Sequence, residues 1–300
     1  MKKKAIIEKT AKSIFLFCAV VAIFAVCAIT LYMFIKGTPA FKEVGVFDLL
    51  FGTVWKPTAS SPSYGIGYII LASLVSTCAA ILIGVPIGLF TAVFIAEVAG
   101  KKVGNLVRNA VELLASIPSV IYGLIGMMVL NPLMFQLEKK IYAGDSSHQY
   151  TGGANMLSAI IVLAIMILPT VISVSTSSLK AVSDSLRAAS LALGATKEQT
   201  IFKTVIPAAK SGILTGIVLG IGRALGEAMA INMVAGGAVN LPLPFHSVRT
   251  LTTQIVSEMG YAGGLHRQVL FTVGLVLYAF IMIVNFVLLK ARKAGTSDEN

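Results

Sequence analysis

Apolar residues run along this chain in six long blocks separated by shorter polar stretches: Ile14–Ile35, Tyr68–Ala96, Val111–Leu130, Met156–Ser178, Gly212–Ala235 and Gln268–Leu289. Each reaches the length of about 20 mostly apolar residues that a helix needs to cross the hydrocarbon core of a bilayer. No water satisfies backbone groups in that core, so each block is predicted to be helical. Pro86, Pro118 and Pro169 fall within three of the blocks and should kink or interrupt them. Gly212, Gly216 and Gly220 recur every four residues, and Gly222 and Gly226 repeat that spacing nearby. Such small-residue faces let helix backbones approach closely, within one chain or between subunits. The expected fold class is all-α integral membrane, with six transmembrane helices.

The first block follows Met-Lys-Lys-Lys. It is too long for a signal-peptide core and has no convincing small-residue cleavage site, so it reads as a retained anchor. Basic residues in the connections set the orientation. With the N-terminus inside, 16 Lys and Arg residues fall on the inner side and 7 on the outer, with Arg223 left within the fifth block. By the positive-inside rule both termini are expected in the cytoplasm. The outer connections are then Lys36–Gly67, Asn131–Asn155 and Gly236–Arg267, all too short for an independent catalytic domain. The first two are rich in Gly, Pro, Ser and Thr and should be mostly irregular.

Composition agrees with the pattern. At 56% hydrophobic and 12% charged residues, the chain has too little polar material to cover a water-soluble surface. Its formal charge of +11 is spread over the connections rather than gathered on one face, so it reads as membrane topology and no nucleic-acid partner is expected. Cys18, Cys27 and Cys78 lie inside apolar blocks and read as small hydrophobes. His148, His246 and His266 are scattered over two loops without a zinc spacing, so neither a metal nor a cofactor is expected.

The longest inner connection, Leu179–Ser211, has a structure of its own. Ala181–Leu193 is rich in helix formers, Gly194 suits a helix C-terminus, and Thr196 with Gln199 forms a capping-box pattern. Pro207 should limit the second helix. The spacing predicts helix, tight turn, helix, either projecting into the cytosol or lying on the lipid surface.

The run Arg187-Ala188-Ala189-Ser190-Leu-Ala-Leu-Gly194-Ala195-Thr, with Pro207 thirteen residues after Gly194, resembles the E-A-A-x-x-x-G loop of binding-protein-dependent type I ABC importer permeases. Ala188 stands where that family usually has Glu. The stretches Glu112-Leu-Leu-Ala-Ser-Ile-Pro118-Ser-Val-Ile-Tyr-Gly123 and Gly222-Arg223-Ala-Leu-Gly226-Glu227-Ala-Met-Ala are similar to those of PstC-type phosphate permeases, more than to their PstA-type partners. The resemblance implies the type I ABC importer permease fold. It divides the chain into an N-terminal anchor and first outer loop (1–67), a permease core (68–290) with a coupling loop (179–211), and a cytoplasmic tail (291–300). It also implies a multi-pass bacterial inner-membrane protein working with a PstA-like permease, PstB-like ATPases and an extracytoplasmic PstS-like phosphate-binding protein. Arg187, Ala188, Ala189, Ser190, Gly194, Ala195 and Pro207 would then form the ATPase coupling loop.

Arg223 and Glu227 are the candidate chemistry within the bilayer. An Arg at a span centre costs about 2.5–3.5 kcal/mol on insertion scales, which marks it as a functional candidate. At a spacing of four the two are expected on one helix face, where they could neutralise each other, although Arg before Glu is the less favourable order. The functional reading makes Arg223 the attractor of inorganic phosphate, through a planar fork of donors that fits an oxyanion. Glu227 would test for the proton that phosphate keeps and sulfate lacks, or would gate Arg223. Glu97 and Glu112 are read as interfacial, while Tyr122, Asn131, Asn232 and Thr252 could be anion contacts or packing contacts. The chain has no G-x-x-x-x-G-K-[ST], so ATP hydrolysis is expected in a separate subunit. The alternatives are a permease for molybdate, sulfate or phosphonate, a membrane-embedded enzyme, for which the intramembrane pair lacks a nucleophile, and a scaffold subunit, which would need neither charge.

Overall fold

A computed structural model describes residues 2–296. The side chains of residues 2–7, 9, 288, 289 and 291–296 lie outside the description, and with them most of the basic N-terminal cluster and the 291–300 tail. The chain is helical almost throughout: α1 (Lys2–Val44), α2 (Val46–Phe51), α3 (Gly67–Val93), α4 (Lys101–Ser116), α5 (Ser119–Ile125), α6 (Asn131–Ile141), α7 (Met156–Lys180), α8 (Asp184–Ala192), α9 (Lys197–Thr200), α10 (Ile206–Ala208), α11 (Lys210–Gly226), α12 (Met229–Val234), α13 (Leu251–Glu258) and α14 (Gly264–Thr296). A two-residue hairpin, β1 (Trp55–Lys56) with β2 (Ser63–Tyr64), closes the first outer connection, pairing Trp55 with Tyr64.

Among the described residues, five helical segments are long and apolar enough to cross a bilayer: Thr10–Val44, Gly67–Val98, Ser119–Ile141, Met156–Lys180 and Gly264–Val287. One more span, the fifth in chain order, is bent: Lys197–Ala208 and Lys210–Gly226 meet at 69°. The third span starts later than the sequence pattern suggests. Ile117 is extended and Pro118 caps a new helix at Ser119, because the residue before a proline is pushed out of the helical region. Lys101–Ser116 is therefore a separate amphipathic helix, and the span runs on through α6 to Ile141. The outer connections expected to be irregular accordingly contain helix. Pro132 sits at the start of α6, where its missing N–H costs nothing, and Lys139 and Lys140 in its last turn complement the helix dipole. Pro86 and Pro169 lie inside α3 and α7 without ending either.

The core is built around α7, whose Leu163, Met166 and Ile167 are buried. The glycine spacing is resolved as intrachain packing on this helix. A Cβ on Gly212 would lie 2.2 Å from Ser178 Oγ, one on Gly216 3.1 Å from Val174 Cβ, and one on Gly220 3.0 Å from Val171 Cγ2. Gly222 and Gly226 behave differently: both are exposed, with no atom near the place of a Cβ. Helix α1 carries its apolar surface outward, with Phe15 and Phe24 over 70% exposed (72% and 73%), as lipid-facing side chains are. It is fastened to α14 where Thr272 Oγ1 donates to the Gly37 carbonyl at 2.7 Å.

Candidate functional site

The fifth span holds the intramembrane candidates, and it breaks between them. Helix α11 stops at Gly226, Glu227 takes an extended conformation (φ −75°, ψ 123°), and α12 restarts at Met229. Glycine at the end of α11 is a weak helix former, which lowers the cost of stopping there. Two contacts then hold the break open. Glu227 Oε1 accepts the backbone N–H of Ala230 at 3.0 Å, and the Glu227 carbonyl accepts Thr252 Oγ1 at 2.7 Å. The expectation that Arg223 and Glu227 share one face of a continuous helix is thereby corrected. No ion pair joins them among the described residues, and the buried Glu227 carboxylate is committed to the first turn of α12.

Arg223 stands in the last turn of α11, where the negative end of the helix dipole favours a cation. It is half-buried and has no hydrogen-bond or ion-pair partner among the described residues. The neighbouring α5 and α12 fit closely: a Cβ on Gly123 would lie 2.8 Å from Ala230 Cα, so the two touch backbone to backbone. The third span, which begins after Pro118, and the fifth, broken at Glu227, thus meet. Broken helices at membrane depth are where backbone and polar groups become available to a translocating solute.

Beside the break, Ser73, Ser76, Thr77, Thr250 and Thr252 line a cavity of about 10 Å³, room for one water at most. Thr252 is occupied with Glu227, Asn232 Oδ1 accepts from Ser257 Oγ at 2.9 Å, and Tyr122 donates to the Leu114 carbonyl at 2.7 Å. Asn131 is buried with Oδ1 unpartnered.

The inner elbow takes the predicted form. Helix α8 begins at Asp184 after Ser183, three residues later than the sequence suggests, and ends at Ala192. Gly194 follows at φ 86°, a conformation costly for any residue with a Cβ. The Ala195 N–H bonds to the Ser190 carbonyl and the Gly194 N–H to that of Leu191, the paired bonds of a Schellman end. Thr196 and Gln199 make the expected capping box. Ser190 ties the two arms together through Thr200 Oγ1 (3.0 Å) and Thr204 Oγ1 (3.3 Å). Pro207 sits inside the second arm, and the chain bends only at Ala209. Ala188 and Ala189 lie on the exposed arm, and Leu193 at its tip is 90% exposed.

Arg187 is the best-connected cation among the described residues. Its Nη2 donates to Glu97 Oε1 at 2.8 Å and to the Leu179 carbonyl at 2.9 Å, while Nη1 reaches Asp184 Oδ1 at 3.2 Å and the Val182 carbonyl. Hydrogen bonding to Glu97 is the main cause that raises its pKa above the ordinary arginine value. Glu97 is therefore no simple interfacial charge. Glu112 is closer to that expectation, pairing with Arg108 at 3.5 Å on an exposed face.

The sequence reading missed the polar clusters of the outer connections. Glu258 binds His266 Nε2 (2.7 Å), Trp55 Nε1 (3.1 Å) and Arg249. Glu138, fully buried, binds His148 Nε2 (2.9 Å) and the Thr151 N–H (3.0 Å), and His148 stacks on Tyr142. The confinement of every histidine and the one tryptophan to outer connections was a usable signal. Which carboxylate each would meet was not.

An apolar helical bundle whose fifth span breaks at Glu227, with an arginine beside the break that has no partner among the described residues, and with a capped inner elbow, defines a polytopic membrane transport subunit. The chain belongs to the family described as binding-protein-dependent transport system inner membrane component, whose model matches residues 84–292. It is 40% identical over 281 residues to the probable ABC transporter permease protein YqgH of Bacillus subtilis (strain 168), covering 90% of this chain and 87% of that one. It is 35% identical over 248 residues to the phosphate transport system permease protein PstC of Pasteurella multocida (strain Pm70), covering 79% and 77%. Among solved structures, a chain of a bacterial alginate ABC transporter in complex with alginate pentasaccharide-bound periplasmic protein superposes with a TM-score of 0.60, at 17% identity over 89% of this chain and 92% of that one. A chain of the inward-facing MetNI methionine ABC transporter gives 0.53 at 22% identity over 77% and 94%. These structural likenesses establish the type I importer permease fold. The chain is a multi-pass inner-membrane permease subunit.

Proposed function

We propose that this permease carries inorganic phosphate inward, pairing with a PstA-like permease, two PstB-like ATPases and an extracytoplasmic PstS-like binding protein. ATP hydrolysis belongs to the ATPase subunits. Both termini and the elbow face the cytoplasm, in keeping with the excess of basic residues on that side. The 1–67 segment acts as anchor and outer loop, and 68–290 as the transport core.

The observation that carries this reading is the unpartnered guanidinium of Arg223 at the broken span. An intramembrane charge faces a bundle interior or an aqueous path rather than lipid. Arg223 is flanked by Gly222 and Gly226, exposed and open, so its face is one that a second permease would cover and convert into a passage. Its planar donors suit an oxyanion bidentately. Glu227, four residues on and fixed by the Ala230 N–H, supports a role in sensing the phosphate proton through the carboxylate oxygen that Ala230 does not engage. The elbow, with Arg187, Ala188, Ala189, Ser190, Gly194, Ala195 and Pro207, docks on the ATPase; the exposed Leu193 supplies an apolar tip in place of the family's usual acidic contact. ATP-driven closure then shifts the population between inward-open and outward-open states.

The test is reconstitution of the four components in liposomes with labelled phosphate, sulfate and molybdate. ATP-dependent phosphate uptake is expected, and sulfate or molybdate uptake in its place would overturn the substrate assignment.

A further inference from the structure

We infer that Arg187 and Glu97 form a clasp through which the docking elbow moves the inner ends of the second and fourth spans, and that both act as positioning residues for transport. The inference rests on the permease reading and adds to it the route by which force enters the bundle.

The geometry is a three-way junction. Arg187 is on the first arm of the elbow, in α8. Its guanidinium bonds to Glu97, in a π-helical turn (Phe94–Val98) that ends the second span, and also to the carbonyl of Leu179 in the last turn of α7, the fourth span, and to that of Val182 just beyond it. The pair is largely withdrawn from solvent, with side chains 20% and 10% exposed. Screening by salt is weak for such a pair. One planar group thus ties a carboxylate to two carbonyls at and just beyond the end of a helix.

Elsewhere the elbow meets the bundle mainly through apolar contacts. Ile201, Val205 and Ala209 pack with Ala92, Val93 and Leu179. Such contacts slide, whereas a multiply bonded guanidinium resists displacement along several directions. The π-helical turn carrying Glu97 is the less regular part of its span, the kind of turn that recurs at functional positions. A second one (Ile201–Val205) occupies the other arm of the elbow. Pull on α8 therefore reaches α3 and α7 together; α3 carries Ser73, Ser76 and Thr77 beside the break in the fifth span, and α7 packs in the core cluster that holds Ala224, Ala230 and Ile231.

The experiment uses the full reconstituted complex and reads two quantities: capture of the ATPase by the permease, and phosphate moved per ATP hydrolysed. Glu97→Gln, outside the docking elbow, is expected to retain ATPase capture while lowering the transport ratio about tenfold, the effect of leaving one member of a partly buried pair without its full partner. Arg187→Lys should lower the ratio by a similar factor. The exchange Glu97→Arg with Arg187→Glu should recover part of the ratio, which a loss of packing would not. An unchanged ratio in Glu97→Gln overturns the clasp. Loss of ATPase capture in Glu97→Gln also overturns it, since the contact would then be a folding element. Failure of the unmutated complex to move phosphate would instead count against the substrate assignment, and the ratio can then be read with whichever oxyanion that complex does transport.

Discussion

Arg187 and Arg223 are the same residue in opposite situations. Arg187, at the inner elbow, is bonded to two carboxylates and two backbone carbonyls from three parts of the chain. Arg223, within the fifth span, has no such partner among the described residues, and it sits where leaving a charge unpaired is far more costly. A saturated guanidinium has no donors left to offer a ligand and works as a tie. An unsaturated one keeps its donors free, as the proposed anion path requires. On the two proposals, the first guanidinium is mechanical and the second chemical.

The largest effect should come from removing the unsaturated group. Arg223→Gln is expected to lower phosphate uptake about 100-fold, the worth of a charge-assisted contact near 3 kcal/mol, while the ATPase is still captured. Loss of capture together with uptake would make Arg223 a structural residue and erase the contrast with Arg187. Arg223→Lys should recover only part of the activity, because a point charge lacks the planar fork.

The two glycine rows extend the comparison to backbone. Gly212→Ala would drive a Cβ against Ser178, both its Oγ and its Cβ, and should destabilise the purified chain by about 1–3 kcal/mol. Gly222→Ala meets nothing and should leave the isolated chain as stable or up to about 1 kcal/mol more so. Thermal melting of the two variants in detergent compares them directly. Equal destabilisation would mean that Gly222 is already packed, and that the open lane beside Arg223 does not exist.

How much of this was legible follows from how local each cause is. The elbow was readable because Gly194, Thr196 and Gln199 act on backbone within a few residues of themselves. The interruption before Ser119 was half readable: Pro118 announces a disturbance, but whether the chain kinks or restarts depends on what the preceding helix packs against. The break at Glu227 was hidden. No proline marks it, and it is held by Thr252, twenty-five residues away in sequence. Arg187 was picked out by its motif, but Glu97, ninety residues earlier, could not be paired with it from spacing. Trp55 and Glu258 are 203 residues apart, so the outer network was less accessible still.

Glu227 allows a finer cut, because its two proposed duties respond to different substitutions. Glu227→Ala removes the acceptor for the Ala230 N–H and should cost about 1 kcal/mol of stability, as loss of a helix-start acceptor does. Glu227→Gln keeps an oxygen in the same place and should melt near the unmutated temperature. If the carboxylate senses the phosphate proton, Gln should nevertheless narrow the preference for phosphate over sulfate in reconstituted uptake. Stability and selectivity both unchanged in Gln would reduce Glu227 to a backbone cap.

The smallest effect supplies the control. Arg108 has one carboxylate contact, to Glu112 at 3.5 Å, and both side chains are at least half exposed (50% and 61%). Water screens such a pair and competes for it, so its contribution lies between zero and about 1 kcal/mol. Glu112→Gln should therefore leave ATPase capture intact and change melting and the transport ratio by less than either clasp variant does. The result matters because Glu112 and Glu97 read alike in the sequence, as two acids near the inner boundary. If removing the exposed acid uncoupled transport as strongly as removing the enclosed one, simple loss of negative charge at that boundary would explain both, and the saturation of Arg187 would have no mechanical meaning.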